Sequence, residues 1–308
     1  MARKIFGITG ASLGLGMATI SAVQAQDVAV ITPYLAQPGT QFYVEAFSER
    51  AAELGWDVNV IDTAGDVAAV ISRIEDAVTQ NVDAIVINVD PSQVGAGLAT
   101  AADAGIPVVG MDAGSDPLII ANVTSNGYAM AAETAVYVAN RIGGEGNVVM
   151  FTFDAFPPVQ VRGVIADAIF GNFPDIEVLA RITPDVSDGG IADSRAQMEA
   201  VLAANPEPGS IAAVWAAWDQ PGLGALQAIE DAGRADEGIV ITGIDANPQA
   251  REAIAAGGNF EASVAQDFAG IGRTAADTVA RILAGEEIVQ RAIYVPTVLV
   301  TSANVDAE

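Results

Sequence analysis

The stretch DVNVIDTAGDVAAVISRIEDAVTQNVDAIVIN, residues 57–88, decides the fold of this chain. It starts with the alternating run DVNVI at 57–61 and ends with the apolar run AIVIN at 84–88, and both runs are typical of β-strands. Between them, apolar residues recur at the spacing of one helix face, namely Val67, Val70, Ile71, Ile74 and Val78. The stretch therefore predicts a strand, a helix and a second strand, which is the βαβ unit of a parallel sheet.

The same alternation continues along the chain on both sides of this stretch. Apolar runs predict nine strands, at 28–32, 57–61, 84–88, 107–111, 147–151, 176–182, 211–215, 239–243 and 260–265. The alternation pauses at the polar, aperiodic NVTSNG of 122–127 and then resumes. Nine strands exceed one small doubly wound sheet, so we predict an α/β fold with two halves, each built on a mainly parallel sheet.

The composition excludes most catalytic chemistry. The 308 residues include no Cys, no His and a single Lys, Lys4. Thiolate nucleophiles, Ser-His-Asp triads, imidazole or thiolate metal sites and Schiff-base lysines are therefore excluded. Among the carboxylates, no pair is marked by its spacing as glycosidase machinery. We therefore expect no catalytic residue, no metal and no cofactor.

The net charge of −26 argues against nucleic acid as a partner, because binding phosphates requires a clustered basic surface. Some 51% of the residues are hydrophobic, which is enough to bury a sizeable core. A neutral or cationic small ligand fits this balance better than a polyanion does.

The first 25 residues, MARKIFGITGASLGLGMATISAVQA, have two alternative interpretations. A short basic start at Arg3 and Lys4, an apolar stretch and small residues up to Ala25 predict a cleavable secretory signal and a periplasmic protein. The stretch TGASLGLG at 9–16 also resembles the phosphate-binding turn of short-chain dehydrogenases and would predict an NAD(P) oxidoreductase. That family depends on a Tyr-x-x-x-Lys pair, and no tyrosine here is followed by Lys at that spacing. We favour the signal peptide and keep the oxidoreductase as the alternative.

Three of the apolar runs end in an aspartate, and these residues are candidates for a binding site. They are Asp112 after PVVGM, Asp219 after AVWAAW and Asp245 after VITGI. Ligands of open parallel sheets bind beyond the carboxyl ends of the strands. One such Asp commonly caps a helix or forms a turn, whereas three together favour carboxylates that accept hydrogen bonds from the hydroxyl groups of a ligand.

Aromatic residues next to strand ends are further candidates, because flat rings stack on the C–H faces of sugars. Phe42 and Tyr43 follow the first strand after a Pro/Gly loop. Trp215 continues the apolar run IAAVW and is predicted to lie in the core, whereas Trp218 stands beside Asp219 and is predicted to line the site.

From residue 26 onward the chain resembles the periplasmic sugar-binding proteins of the ribose/galactose type, the type I substrate-binding subunits of ABC transporters. The resemblance is carried in order by FYVEAFSERAAELGWDV (42–58), DAIVINVDPS (83–92), AGIPVVGMD (104–112), QVRGVIADAI (160–169), GLGALQAIEDAG (222–233), TGIDANPQAREAI (242–254) and ASVAQD (262–267). It implies two similar doubly wound lobes, joined by a hinge of three crossover segments, that close on the ligand. One lobe would comprise 26–124 plus 267–296 and the other 125–266 plus 297–308.

The resemblance also implies roles for individual residues. Phe42 and Tyr43 match the paired aromatics that sandwich the sugar, and Asp112 matches the carboxylate after the fourth strand. Arg162 matches an arginine that begins a helix of the second lobe. Asp245 and Gln266 match residues that hold hydroxyl groups.

Two positions depart from the pattern of these proteins. Ala113 and Trp218 stand where the resembled proteins often carry Arg and Asn, which indicates a ligand other than ribose. The function implied is capture of a neutral monosaccharide or polyol and its delivery to an ABC-transporter permease, by a monomer that binds no nucleic acid. A sugar-sensing effector domain shares this fold and is a further alternative.

Overall fold

The computed structural model describes residues 25–306. The TGASLGLG stretch and the predicted signal peptide, apart from Ala25, lie outside the described residues. Within residues 25–306, no helix is long and apolar enough to cross a membrane. The same residues contain no cluster of acidic side chains arranged to hold a metal ion.

Twelve strands and nine α-helices alternate along the described part of the chain. The strands are β1 Asp27–Thr32, β2 Asp57–Asp62, β3 Ala84–Ile87, β4 Val108–Met111, β5 Ala121–Ser125, β6 Glu145–Phe151, β7 Asp175–Ile182, β8 Ala213–Ala216, β9 Val240–Asp245, β10 Phe260–Gln266, β11 Ala292–Val295 and β12 Thr297–Thr301. The helices are α1 Pro38–Glu53, α2 Val67–Thr79, α3 Gly95–Asp103, α4 Gly127–Arg141, α5 Pro157–Phe170, α6 Ile191–Ala204, α7 Asp219–Asp231, α8 Pro248–Ala256 and α9 Phe268–Leu283.

The strands form two six-stranded sheets of the same topology. The first sheet has the order β11-β5-β4-β3-β1-β2 and the second has the order β12-β10-β9-β8-β6-β7. All neighbouring pairs are parallel except β10 with β12. The predicted α/β fold of two similar doubly wound lobes is confirmed. In each sheet the strand order reverses at one point, between β1 and β3 in the first sheet and between β6 and β8 in the second. Ligands of such sheets bind at this point.

Each sheet is buried between helices on both of its faces. In the first sheet, α1 and α9 cover one face and α2 and α3 cover the other. In the second sheet, α4 and α5 cover one face, and α6, α7 and α8 cover the other. The apolar stripe predicted for 67–78 lies on α2, with Val70 and Ile74 fully buried.

The chain passes between the two sheets three times. It leaves the first sheet after β5, returns after β10, and crosses once more at Pro296, between β11 and β12. The residue boundaries of the lobes, 26–124 plus 267–296 and 125–266 plus 297–308, stay a prediction.

Each of the nine predicted strands overlaps an observed strand, but three observed strands were not predicted. The alternation does not pause at the polar, aperiodic stretch 122–127, because Ala121–Ser125 is the buried strand β5. Two of its polar side chains have partners inside the protein: Asn122 donates to the carbonyl of Ala113 and accepts from its amide, and Thr124 donates to Asp112. The strands β11 and β12 are four and five residues long and are separated by Pro296, so neither gives a clear periodic signal.

Candidate ligand-binding site

A cavity lies between the two lobes, at the carboxyl edges of both sheets. About 550 Å³ of space free of protein atoms, including the solvent at its mouth, lies between its walls. The first sheet and its helices contribute Tyr34, Gln37, Gly39, Thr40, Tyr43, Asp112 and Phe268. The second sheet and its helices contribute Phe153, Phe156, Val159, Arg162, Val186, Trp218, Asp245 and Gln266.

Four buried polar side chains form the centre of the site. The Asp112 Oδ1 atom accepts a hydrogen bond of 2.5 Å from Thr124 Oγ1. The Asp245 Oδ1 atom accepts one of 2.7 Å from Gln266 Nε2 and lies 3.7 Å from Arg162 Nη1. The same Arg162 nitrogen donates to the carbonyl of Ala217 at 2.8 Å. The predicted residues Asp112, Arg162, Asp245 and Gln266 are therefore brought together, although they come from β4, α5, β9 and β10.

Several buried polar atoms of the cavity wall have no partner within the protein. They are Tyr34 Oη, Gln37 Oε1, Arg162 Nε and Gln266 Oε1. A buried polar atom without a partner costs roughly 1–3 kcal/mol, and such atoms in native proteins call for an explanation. Such atoms can pair with a ligand that both donates and accepts hydrogen bonds.

Burial raises the pKa of both carboxyl groups in the cavity wall. Burial raises the pKa of Asp245 to about 7, against the opposing influence of Arg162 and Gln266. The pKa of Asp112 is also raised by burial, and Arg162 and Thr124 oppose that increase. One arginine thus compensates only partly for two buried carboxyl groups.

The backbone at both aspartates is in a conformation that non-glycine residues rarely adopt. The φ angles are +52° at Asp112, +118° at Asp245 and +47° at Ala246. Side-chain hydrogen bonds hold these turns: Asn88 Nδ2 donates to the carbonyls of Met111 and Asp112, and the Ala246 amide donates to Ser263 Oγ. Strained backbone of this kind is characteristic of ligand clamps.

Asp219 was predicted to bind the ligand, but it does not line the cavity. It is completely buried at the start of α7 and accepts hydrogen bonds from Ser263 Oγ at 2.6 Å and from the Asn247 amide at 2.8 Å. Burial, and then the nearby Asp245 carboxyl, raise its pKa well above the usual range. Its position supports the strained turn that follows β9.

Of the two aromatics predicted on α1, only Tyr43 lines the cavity. Its hydroxyl shares a hydrogen bond of 2.9 Å with Thr40 Oγ1. Phe42 is 40% exposed and lies on the outer side of the helix against Phe268. Consecutive residues of an α-helix point about 100° apart, and the rotation of α1 about its axis turns Tyr43 toward the cavity and Phe42 away from it. The placement of Phe42 in a pair that encloses the ligand is therefore corrected.

The two tryptophans lie where the sequence placed them. Trp218 is buried in the cavity wall, with its ring centroid 6.4 Å from that of Phe153. Trp215 is in the core, and its Nε1 donates to Thr134 Oγ1 at 2.9 Å.

Four aromatic residues of the cavity wall were missed at the sequence level. Tyr34 follows β1, and Phe153 and Phe156 follow β6, so the rule applied to the aspartates at strand ends would have found them. Phe268 is the first residue of α9, directly after the crossover from β10. It fits there because residue 39 is glycine: a Cβ atom at Gly39 would lie 2.8 Å from the Phe268 ring.

The two lobes contact each other across the mouth of the cavity. Gln37 Nε2 donates to the carbonyl of Val186 at 3.1 Å, and Gln93 Nε2 donates to the carbonyl of Ala155 at 2.9 Å. The rings of Tyr34 and Phe156 have centroids 5.1 Å apart. The arrangement is therefore a closed one.

Comparison with known proteins agrees with this architecture. Residues 28–287 match the family described as "Periplasmic binding protein domain". A xylitol-binding protein of Mycolicibacterium smegmatis is 29% identical over 254 residues, which cover 78% of this chain and 67% of that protein. A putative rhizopine-binding protein of Rhizobium meliloti is 30% identical over 274 residues, 81% of each chain. The solved structure of an ABC transporter solute binding protein from Agrobacterium vitis with bound allitol is similar, with a TM-score of 0.86 and 29% identity over 92% of this chain and 98% of that one.

Proposed function

The chain belongs to the periplasmic binding protein domain family, and we propose that it captures a neutral monosaccharide or polyol between its lobes and delivers it to the permease of an ABC transporter. This family consists of substrate-binding transport proteins and not of enzymes. One relative is named as a xylitol-binding protein and another as a putative rhizopine-binding protein, and the solved structure of a third contains bound allitol.

One observation carries the proposal for this chain: buried polar atoms from both lobes face a cavity whose other walls are aromatic. A hydroxyl group donates one hydrogen bond and accepts others, so it can pair with the carboxylates and with the donor of Arg162 at once. Aromatic rings can pack on the carbon face of the same ligand.

The proposed mechanism is a two-state closure. A ligand that bridges Asp112 on one lobe to Arg162 and Asp245 on the other stabilises the closed form by its differential affinity for that form. A transport protein must also release its ligand, so we expect a dissociation constant near micromolar, about −8 kcal/mol.

The permease partner, the periplasmic location and the monomeric state belong to the same proposal. The relative of known structure is an ABC transporter solute binding protein, which supports a permease as the partner. The signal peptide predicted at 1–25 supports export to the periplasm. N-terminal sequencing of the exported protein is expected to start at Gln26; a start at Met1 would contradict the signal peptide.

A thermal-denaturation screen over pentoses, hexoses, deoxy-sugars and polyols tests the function. A ligand at about 100 times its dissociation constant adds about 2.7 kcal/mol of stability. Asp245→Ala should abolish the rise in melting temperature, whereas Asp103→Ala, at an exposed position of α3, should keep it. A screen without any stabilising ligand, or an undiminished rise in Asp245→Ala, would contradict the proposal.

The oxidoreductase alternative depends on TGASLGLG alone, which lies outside the described residues. The sugar-sensing effector domain would use the same cavity without a permease. Copurification with a membrane permease distinguishes a transport protein from such an effector domain.

A further inference from the structure

The order of strands divides the cavity into a polar half and an aromatic half. In the second sheet, Gln266 and Asp245 end β10 and β9, which are neighbours. The next strands across the sheet are β8, β6 and β7, and the cavity residues that follow them are Trp218, Phe153 and Val186. Arg162 comes from α5, after β6, but its guanidinium group reaches Asp245 Oδ1 at 3.7 Å. The polar groups of this lobe therefore lie on one side of the cavity wall, and the side chains that follow β8, β6 and β7 on the other side are apolar or aromatic.

The first sheet shows the same division. Asp112 follows β4, and its hydrogen-bond partner Thr124 lies on the neighbouring β5. Tyr34 follows β1, on the other side of β3. Its ring centroid lies 5.1 Å from that of Phe156 and 6.2 Å from that of Phe153. The aromatic sides of the two lobes therefore face each other, as do their polar sides.

The number of hydrogen-bonding atoms differs between the two halves. In the polar half, Asp112 Oδ2, Asp245 Oδ2, Arg162 Nε and Gln266 Oε1 have no hydrogen bond within the protein. Three of these atoms accept and one donates, so three hydroxyl groups can each donate a hydrogen bond here and one of them can also accept one.

The aromatic half is lined mainly by apolar side chains. One apolar cluster includes Phe156, Val159 and Trp218, and Phe153 and Val186 pack against it. Apart from Trp218, these side chains carry no hydrogen-bonding atom. The remaining polar groups on this side are Tyr34 Oη, Gln37 Oε1 and the Trp218 indole N–H. A hydroxyl group pressed against the four apolar side chains would lose its water without gaining a partner.

We infer that the ligand is amphiphilic: a sugar or polyol whose hydroxyl groups occupy the polar half and whose other end, a deoxy carbon or a small alkyl substituent, occupies the aromatic half. This inference rests on the proposed function and specifies the ligand class of the same cavity. It also agrees with Trp218, which stands in the aromatic half at a position where the resembled proteins often carry Asn.

Isothermal titration calorimetry with matched pairs tests the inference on the full protein. The pairs are D-galactose with 6-deoxy-D-galactose, L-mannose with L-rhamnose, and D-ribose with 5-deoxy-D-ribose. Within the pair that binds best, we expect the deoxy member to bind about tenfold more tightly, which corresponds to about 1.4 kcal/mol.

A pair of variants ties that preference to the aromatic half. Val186→Thr adds a hydroxyl group to the cavity wall at nearly constant volume, so it should reduce the preference for the deoxy member by about threefold or more. Val289→Thr makes the same change at a side chain that is 85% exposed and should leave the preference unchanged. Melting temperatures of both variants without ligand verify that they are folded.

The possible outcomes separate the inference from the proposed function. If the fully hydroxylated member binds as tightly as its deoxy counterpart, or if Val186→Thr leaves the preference unchanged, the inference is overturned and the proposed function stands. If no member of any pair binds and the broader screen of sugars and polyols is also negative, both are overturned.

Discussion

At the scale of single residues, Asp245 shows that a buried carboxyl group suited to binding a ligand also destabilises the protein without ligand. It faces Asp112, Asp219, Arg162 and Gln266, and its side chain is only 12% exposed. Its pKa of about 7 in the folded protein exceeds the value of about 3.9 expected in the unfolded chain. Between these two values the folded protein binds more protons, so the contribution of Asp245 to stability falls as the pH rises through 7.

Asp245→Asn removes this titration and gives the first prediction. The melting temperature of the variant without ligand, relative to that of the unmodified protein, should increase between about pH 5 and about pH 8. About two of the three units of pKa difference fall within this pH range, and each unit corresponds to about 1.4 kcal/mol, so we expect a relative gain of about 1–3 kcal/mol. Asp103→Asn, at an exposed position, is the control. A melting-temperature difference that is the same at both pH values would contradict the role assigned to Asp245.

Asp219 gives the second prediction, because it holds the turn that carries Asp245. In Asp219→Ala, the Ser263 hydroxyl and the Asn247 amide would lose their buried acceptor. We expect the free energy of unfolding, measured with urea, to fall by about 1–3 kcal/mol, and ligand affinity to fall as well because the turn loses its support. Asp219→Asn keeps one acceptor oxygen and should lie between the two. Ligand binding by folded Asp219→Ala at full strength would show that the turn does not depend on this carboxyl group.

At the scale of secondary-structure elements, the sequence predicts the strands that have a hydrophobic pattern of their own and misses the strands that depend on tertiary contacts. Most of the nine predicted strands are buried apolar runs, whereas β2 and β7 are largely exposed or half-buried and have a mixed pattern. The spacing of the nine is sufficient to define the alternation of strands and helices. Strand β5 escapes this rule because Asn122 is buried by bonding to the backbone of Ala113, and no local pattern encodes such a pairing. Strands β11 and β12 are defined only by their pairing with β5 and β10 in the folded protein.

The packing of α1 against α9 gives the third prediction. The two helices approach so closely at Gly272 that an added Cβ atom would lie 2.2 Å from the Tyr43 carbonyl oxygen and 2.7 Å from the Phe47 amide nitrogen. Both atoms are backbone and cannot rotate away, so Gly272→Ala should lower the free energy of unfolding by at least about 2 kcal/mol. It should also weaken ligand binding, because Tyr43 lines the cavity.

Gly95→Ala is the matched control for Gly272→Ala. Gly95 is the first residue of α3, and no atom would lie within 4 Å of an added Cβ. Alanine there should be neutral or stabilise the protein by up to about 1 kcal/mol. Equal effects of the two substitutions would show that the approach of the helices at Gly272 is not the cause.

At the scale of the whole molecule, the sequence predicts the polar centre of the site better than its walls. Asp112 and Asp245 were found by one rule, because parallel strands bring their carboxyl ends to one edge. Phe42 was misplaced because the helix begins at Pro38, and its rotation about the axis decides which side chain faces the cavity. Phe268 was missed because its place depends on Gly39, which is distant in sequence and close only after folding. Contacts between lobes likewise have no local signature.

Closure of the lobes gives the last prediction, and Gln93 tests it without touching the cavity wall. Its side chain donates to the carbonyl of Ala155 on the other lobe at 2.9 Å. One hydrogen bond contributes about 0.5–1.5 kcal/mol, so Gln93→Ala should shift the equilibrium toward the open form and weaken the apparent affinity about two- to tenfold. The ligand preference should not change, because every residue that lines the cavity remains.

Gln80→Ala, at the exposed carboxyl end of α2, is the control, since α2 ends at the opposite edge of the first sheet. Calorimetry gives the affinities, and small-angle scattering without ligand should give a larger radius of gyration for Gln93→Ala than for Gln80→Ala. An unchanged affinity would mean that this contact does not stabilise the closed form relative to the open form.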